Sequence, residues 1–206
     1  MNKLDKLMIE KGLVNVEKLD PTILFDIRYA TSNNFTGRVL YKEPFGVFVH
    51  PSLAESLAKV NSNLKRQNPD LRLVIFDAAR PLSIQKEMFE IVKGTPSEPY
   101  IANPYGEFAG GFHNYGLAVD LSIKNIRENA LLDMGTDYDS FSTLSNTGNE
   151  ELYFKEGRLS WEAFENRIFL FRLLEEERLF PHPKEWWHFQ KDYREEAKNP
   201  KFILDF

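Results

Sequence analysis

The sequence predicts an α+β fold, helices packed on a mostly antiparallel sheet, and three observations predict it. Residues 50–70, HPSLAESLAKVNSNLKRQNPD, set Leu53, Leu57, Val60 and Leu64 at the spacing of one helix face. The runs LRLVIFD and GLAVDLSI are short, apolar and bounded by turn residues, as strands are. SWEAFENRIFLFRLLEEERLF, residues 160–180, is the strongest helical pattern in the chain.

In chain order, residues 13–30 mix short apolar alternations with a turn at Asp20-Pro21, which predicts short strands rather than a helix. The helix that follows is expected to be capped by Ser52 and stopped at Asn68-Pro69. LRLVIFDAARP then reads as a strand broken at Arg80-Pro81, and SIQKEMFEIVK as a second helix ending at Gly94. Residues 94–112 are rich in proline and glycine and predict a long irregular segment, which in a small domain is often functional. GLAVDLSI alternates with period two, so Asp120 falls within a strand and His113 lies before the turn at residues 114–116. Residues 133–150 are polar and turn-rich. In the last helix Phe164, Ile168, Phe171 and Leu174 form the expected core stripe. The two prolines of PHPKEWWHF impose an extended approach to a tryptophan-rich segment, with Trp186 and Trp187 expected in the core or a pocket wall.

With 206 residues the chain suits one domain, residues 1–206, with one core. Hydrophobic residues at 42% and charged residues at 28% exclude a disordered or collagenous chain. A net charge of −5 with scattered Lys and Arg offers no basic stripe, so nucleic acid is not an expected partner. No apolar run reaches the ~20 residues needed to span a bilayer, and the first residues lack the apolar core of a signal peptide. The expected compartment is the cytoplasm, or the periplasm if a signal peptide was removed ahead of this numbering.

There is no cysteine, so a metal site must be built from histidine and carboxylate. His113, Asp120 and His188 give two imidazoles and a carboxylate, a set that suits Zn²⁺ with a fourth position open to water. Glu185 lies three residues before His188; a helical turn or a bend would bring the two together, and a regular strand would not. A glutamate beside such a metal is the natural general base. Asp120 in an apolar strand needs a cation or donors, because an unpaired buried carboxylate is costly. Arg80 reads either as an ion-pair partner of Asp77 or as a fixed guanidinium for the oxyanion of a tetrahedral intermediate. His50 and His182 read as structural or surface residues.

Five segments, in order, carry a family resemblance: DIRYATSNNFTG, the D-x-x-R-P of DAARP, HNYGLAVDL, DMGTDYD and EWWH. On these the chain resembles the D-alanyl-D-alanine dipeptidases of the vancomycin-resistance type, zinc peptidases that share a fold with D,D-carboxypeptidases and the hedgehog signalling domain. The resemblance implies zinc on His113, Asp120 and His188, Glu185 as base and Arg80 as transition-state stabiliser. It also implies that Asp139, with Tyr29, meets the free ammonium of a small dipeptide substrate. One position departs: the family's serine two residues before the metal histidine is Gly111 here, so Tyr41 or a backbone N–H must replace its hydroxyl. Two rival expectations remain: a peptidoglycan carboxypeptidase or endopeptidase on the same scaffold, and a non-catalytic zinc-containing binding module.

Overall fold

The computed structural model describes residues 3–43, 46–106, 109–191 and 199–206. Its elements run α1 (Lys3–Glu10), β1 (Val14–Asn15), α2 (Val16–Leu19), β2 (Leu24–Phe25), β3 (Phe48–Val49), α3 (Pro51–Gln67), β4 (Leu71–Asp77) and α4 (Leu82–Val92). They continue with β5 (Ala118–Asn125), β6 (Ala130–Leu131), α5 (Glu150–Lys155), α6 (Trp161–Glu175), β7 (Leu179–His182) and β8 (Glu185–Lys191). Among the described residues no helix is long and apolar enough to cross a membrane.

The main sheet has the order β2-β4-β5-β8-β7, with β6 beside β5, and every pairing in it except the parallel β2–β4 is antiparallel. The α+β expectation holds. One face of this sheet carries Leu73, Ile75, Val119, Leu121, Ile123 and Phe189, and α3 and α6 pack against it through Leu53, Leu57, Val60, Leu64, Leu170 and Leu173. Because side chains alternate along a strand, Asp120 and His188 project from the other face, and the register Asp120↔His188 sets them side by side.

Asp77 should by the same alternation follow Ile75 into the core. A register shift between Ile75 and Asp77 adds a residue to β4, so that Asp77 pairs with Asp120 and joins the polar face. The bulge redirects one carboxylate from an apolar layer to the site.

Three expectations need correction. The cap of α3 is His50, whose Nδ1 accepts from the Ser52 amide, because Pro51 at the first helical position pre-sets φ and needs no N–H partner. Within residues 13–30, the strands β1 and β2 are interrupted by α2, which Asn15 caps through the Lys18 amide. In α6, Leu174 is buried as expected and Phe164 and Phe171 pack against the core, but Ile168 is exposed, while Ala163, Arg167, Leu170 and Leu173 also turn inward. The inward face is shifted from the expected stripe toward a fully buried arginine. The segment 94–112 is irregular apart from short 3₁₀ turns at Glu98–Tyr100 and Phe112–Tyr115, with residues 107–108 outside the described ones.

Arg167 explains how the polar face is closed. Its Nε donates to the Met134 carbonyl at 2.7 Å and its Nη1 to the Leu144 carbonyl at 2.9 Å, while its guanidinium lies 5.9 Å from the Trp186 ring. Asn166 adds a bond to the Asp133 carbonyl. The polar segment 133–146 is thus held near both of its ends by one helix.

Candidate active site

Two backbone segments meet at His113. The Arg80 amide donates to the His113 carbonyl, and the buried Asn114 side chain donates to the Arg80 carbonyl while accepting from the Gly111 amide. Gly110, at φ 75°, must be glycine: a Cβ there would collide with the Asn114 side chain. The turn that presents His113 is therefore fixed to the end of β4.

Three atoms converge in the polar face. His113 Nε2 lies 3.1 Å from Asp120 Oδ1 and 3.1 Å from His188 Nδ1, and His188 Nδ1 lies 3.3 Å from Asp120 Oδ1. The edges of a tetrahedral site with bonds of about 2.0–2.1 Å measure about 3.3 Å, so this triangle fits three ligands of one Zn²⁺ ion. The outer contacts agree. His113 Nδ1 faces the Ala78 carbonyl at 2.7 Å, which only accepts, so this nitrogen carries the proton and Nε2 presents a lone pair inward. His188 Nε2 faces Gln190 Oε1 at 3.4 Å with the same consequence for Nδ1. Burial holds the His188 imidazole below its ordinary pKa, and so neutral. A ring nitrogen from each imidazole and a carboxylate oxygen thus face one another at ligand spacing, an arrangement that a cation resolves.

Asp120 is held from behind by Tyr138, whose hydroxyl donates to Oδ2 at 2.9 Å; burial and the Asp120 charge keep that phenol protonated. Sequence reasoning passed over Tyr138, although it stands in the DMGTDYD segment beside Asp139. Glu185 opens β8, where a register shift between Pro181 and His182 pairs it with His182. That irregularity brings its Oε2 to 3.7 Å from His188 Nδ1, which answers whether a strand can place the two together. Burial, then the charges of Asp120 and Asp139, push the Glu185 carboxyl well above its usual range.

Arg80 Nε and Nη2 reach Asp77 Oδ2 at 2.8 and 2.6 Å, and Nη1 donates to Gln85 Oε1 at 2.8 Å. Its Nη2 is also 3.8 Å from Asp120 Oδ2. The two readings of Arg80 are compatible: the ion pair with Asp77 holds a guanidinium whose remaining donors serve the cleft that it lines. Tyr41 does not line that cleft. Its hydroxyl donates to Asp77 Oδ1 at 2.7 Å, so it supports the Asp77–Arg80 pair and does not stand in for the missing serine hydroxyl.

The cleft over these residues encloses about 440 Å³, within the range of small-ligand pockets. Asp139 and Tyr29 line it. Asp139 adopts φ 61°, a left-handed conformation that Asp tolerates better than most residues, and it accepts from Tyr29 Oη at 3.0 Å and from the Phe35 amide at 3.2 Å. Burial above all, with the Asp120 charge adding to it, raises its pKa to about 7. His182, expected to be structural or at the surface, also lines the cleft, its ring 5.3 Å from that of His188. Only the β7–β8 pairing, invisible in the sequence, brings it there.

The family profile of peptidase M15, D-ala-D-ala dipeptidase, matches residues 9–204, nearly the whole chain. The chain belongs to that family. The D-alanyl-D-alanine dipeptidase of Escherichia coli strain K12 is 27% identical over 178 residues, which span 86% of this chain and 83% of that protein. Family membership makes the chain a peptidase. Within the D-ala-D-ala dipeptidase family, the group His113, Asp120 and His188 is where a metal ion could be held.

Proposed function

We propose that this protein, acting as a single domain over residues 1–206, is a zinc-dependent hydrolase that cuts D-Ala-D-Ala, or a closely related D-containing dipeptide, into free amino acids. The observation that carries the reading is the presence in one cleft of a two-histidine, one-aspartate group and of Asp139, a carboxylate with a raised pKa. A zinc ion held by His113, Asp120 and His188 would polarise the scissile carbonyl and make water more acidic.

The chain's own residues supply the rest. Glu185, with its raised proton affinity, takes the proton of the attacking water and delivers it to the leaving amine as the C–N bond breaks. Arg80 donates to the oxygen on which negative charge develops, without reorganising, because Asp77 and Gln85 already hold it. Tyr138 keeps Asp120 oriented. Asp139 pairs with the substrate's ammonium, and a longer peptide, which has an amide at that point, leaves the carboxylate unpaired. A cell-wall connection follows from the substrate, since D-Ala-D-Ala is a peptidoglycan building block.

The deciding experiment is D-alanine release from D-Ala-D-Ala by zinc-loaded protein, with protein stripped by a chelator as the blank. Release that disappears on stripping and returns with zinc is the expected result. Preference for muropeptides would favour a peptidoglycan peptidase, and tight zinc without hydrolysis of any peptide would favour a binding module.

Asp139 gives the reading a pH signature. Its value of about 7 lies above the 3.8 of an unburied aspartate, so charging it opposes folding, and that cost is absent below pH ~4 and grows until pH ~7. A bound ammonium relieves the cost, and binding needs the charged carboxylate with a protonated amine, whose own pKa is about 7.7–8.0. KM is therefore expected to fall roughly fivefold between pH 6 and pH 7.5, and Asp139→Asn to raise KM and flatten the profile. A KM profile in the Asn variant with the wild-type slope would remove Asp139 from the ammonium site.

A further inference from the structure

The proposed substrate is a zwitterion, so its carboxylate must enter a cleft already lined by Asp120, Asp139 and Glu185. Two permanent cations line the same cleft, Arg80 and Lys184. Arg80 is engaged with Asp77 and Gln85. Lys184 is not so engaged: its ammonium donates to the Pro99 carbonyl at 3.2 Å and lies 5.3 Å from the Tyr100 ring centroid. Both of these partners are uncharged, the ammonium acts on the neighbouring Glu185 by charge alone, and two of its three donors remain beyond the Pro99 bond.

The placement is built. The Lys184 amide donates to His182 Nδ1 at 3.3 Å, which shapes the turn joining β7 to β8 directly before Glu185. Tyr100 is itself stacked on Phe141, their centroids 4.8 Å apart, so the surface under the ammonium is supported. The loop that carries Pro99 and Tyr100 continues to Ala102, whose Cβ is the atom that a side chain at Gly111 would meet, at 3.3 Å. Lys184 therefore reaches the loop that borders Gly111, where the hydroxyl is missing.

We propose that Lys184 receives the α-carboxylate of the dipeptide and so makes the protein select peptides with a free carboxyl end. This rests on the dipeptidase reading above. A charge-assisted pair forms, and the ammonium exchanges water for carboxylate while keeping Pro99 and Tyr100. Selection then operates at both ends of the substrate, with Asp139 reading the amine and Lys184 the acid.

The test compares D-Ala-D-Ala with its C-terminal amide as substrates of the zinc-loaded wild type, Lys184→Gln and Lys184→Arg. In the wild type KM for the acid is expected to lie well below KM for the amide. Lys184→Gln should raise KM for the acid roughly tenfold, leave kcat within about twofold and leave the amide unaffected, and Lys184→Arg should restore most of the preference. An unchanged melting temperature shows that the exposed substitution has not disturbed the fold. Lys184→Gln with the wild-type ratio of acid to amide overturns the assignment while the dipeptidase reading stands. Failure of the unmodified protein to cut either compound defeats the reading itself, and the assignment with it.

Discussion

Glu185→Gln is expected to lower kcat by about two to four orders of magnitude while the protein keeps its metal. Glutamine preserves the shape of the side chain and its place at the start of β8, and removes only the ability to take a proton. Glu185 is not one of the three residues whose ligand atoms converge, so its loss should not empty the site. The pairing of a kinetic assay with metal analysis separates the possibilities. A variant that turns over at the wild-type rate would dismiss Glu185 as base, and one that loses its metal would move Glu185 among the ligands.

The second large effect is expected at Arg80. Replacement by methionine should cost roughly 10²–10³ in kcat, the magnitude typical of removing a preorganised oxyanion donor. It should also cost on the order of 3–5 kcal/mol of stability, because the almost fully buried Asp77 would lose its guanidinium partner and keep the Tyr41 hydroxyl. The two losses have different origins and can be separated. Asp77→Asn combined with Arg80→Met removes both members of the buried pair, so it should recover much of the melting temperature and none of the rate. If the rate returned with the stability, Arg80 would be a structural ion-pair partner alone.

Much of the architecture was legible because its signals are local. The stripe Leu53, Leu57, Val60 and Leu64 lies on one helix, and the apolar runs around Ile75 and Leu121 each form one strand. What depends on pairing was not. His113 and Asp120 are close in sequence, but the neighbour of Asp120 is His188, and only the β5–β8 register sets them side by side. The bulge that turns Asp77 toward Asp120 has no sequence mark, and neither has the one that seats Glu185 against His188. Tyr41 was placed at the substrate because its partner, 36 positions away, could not be foreseen. The stripe of α6 was only partly right for a related reason: Ile168 is exposed, and Arg167, which reads as solvent-facing, is inward because two loop carbonyls need donors.

That arginine gives the site an unusual mechanical character. Loops that read substrates commonly fray on their own, at little free-energy cost. Here Tyr138 and Asp139 belong to a segment whose flanks are fastened to Arg167, and Arg167 is buried within α6. Opening the segment would expose that guanidinium and disturb the helix, so the amine recognition proposed for Asp139 and the packing of α6 rise and fall as one cooperative unit.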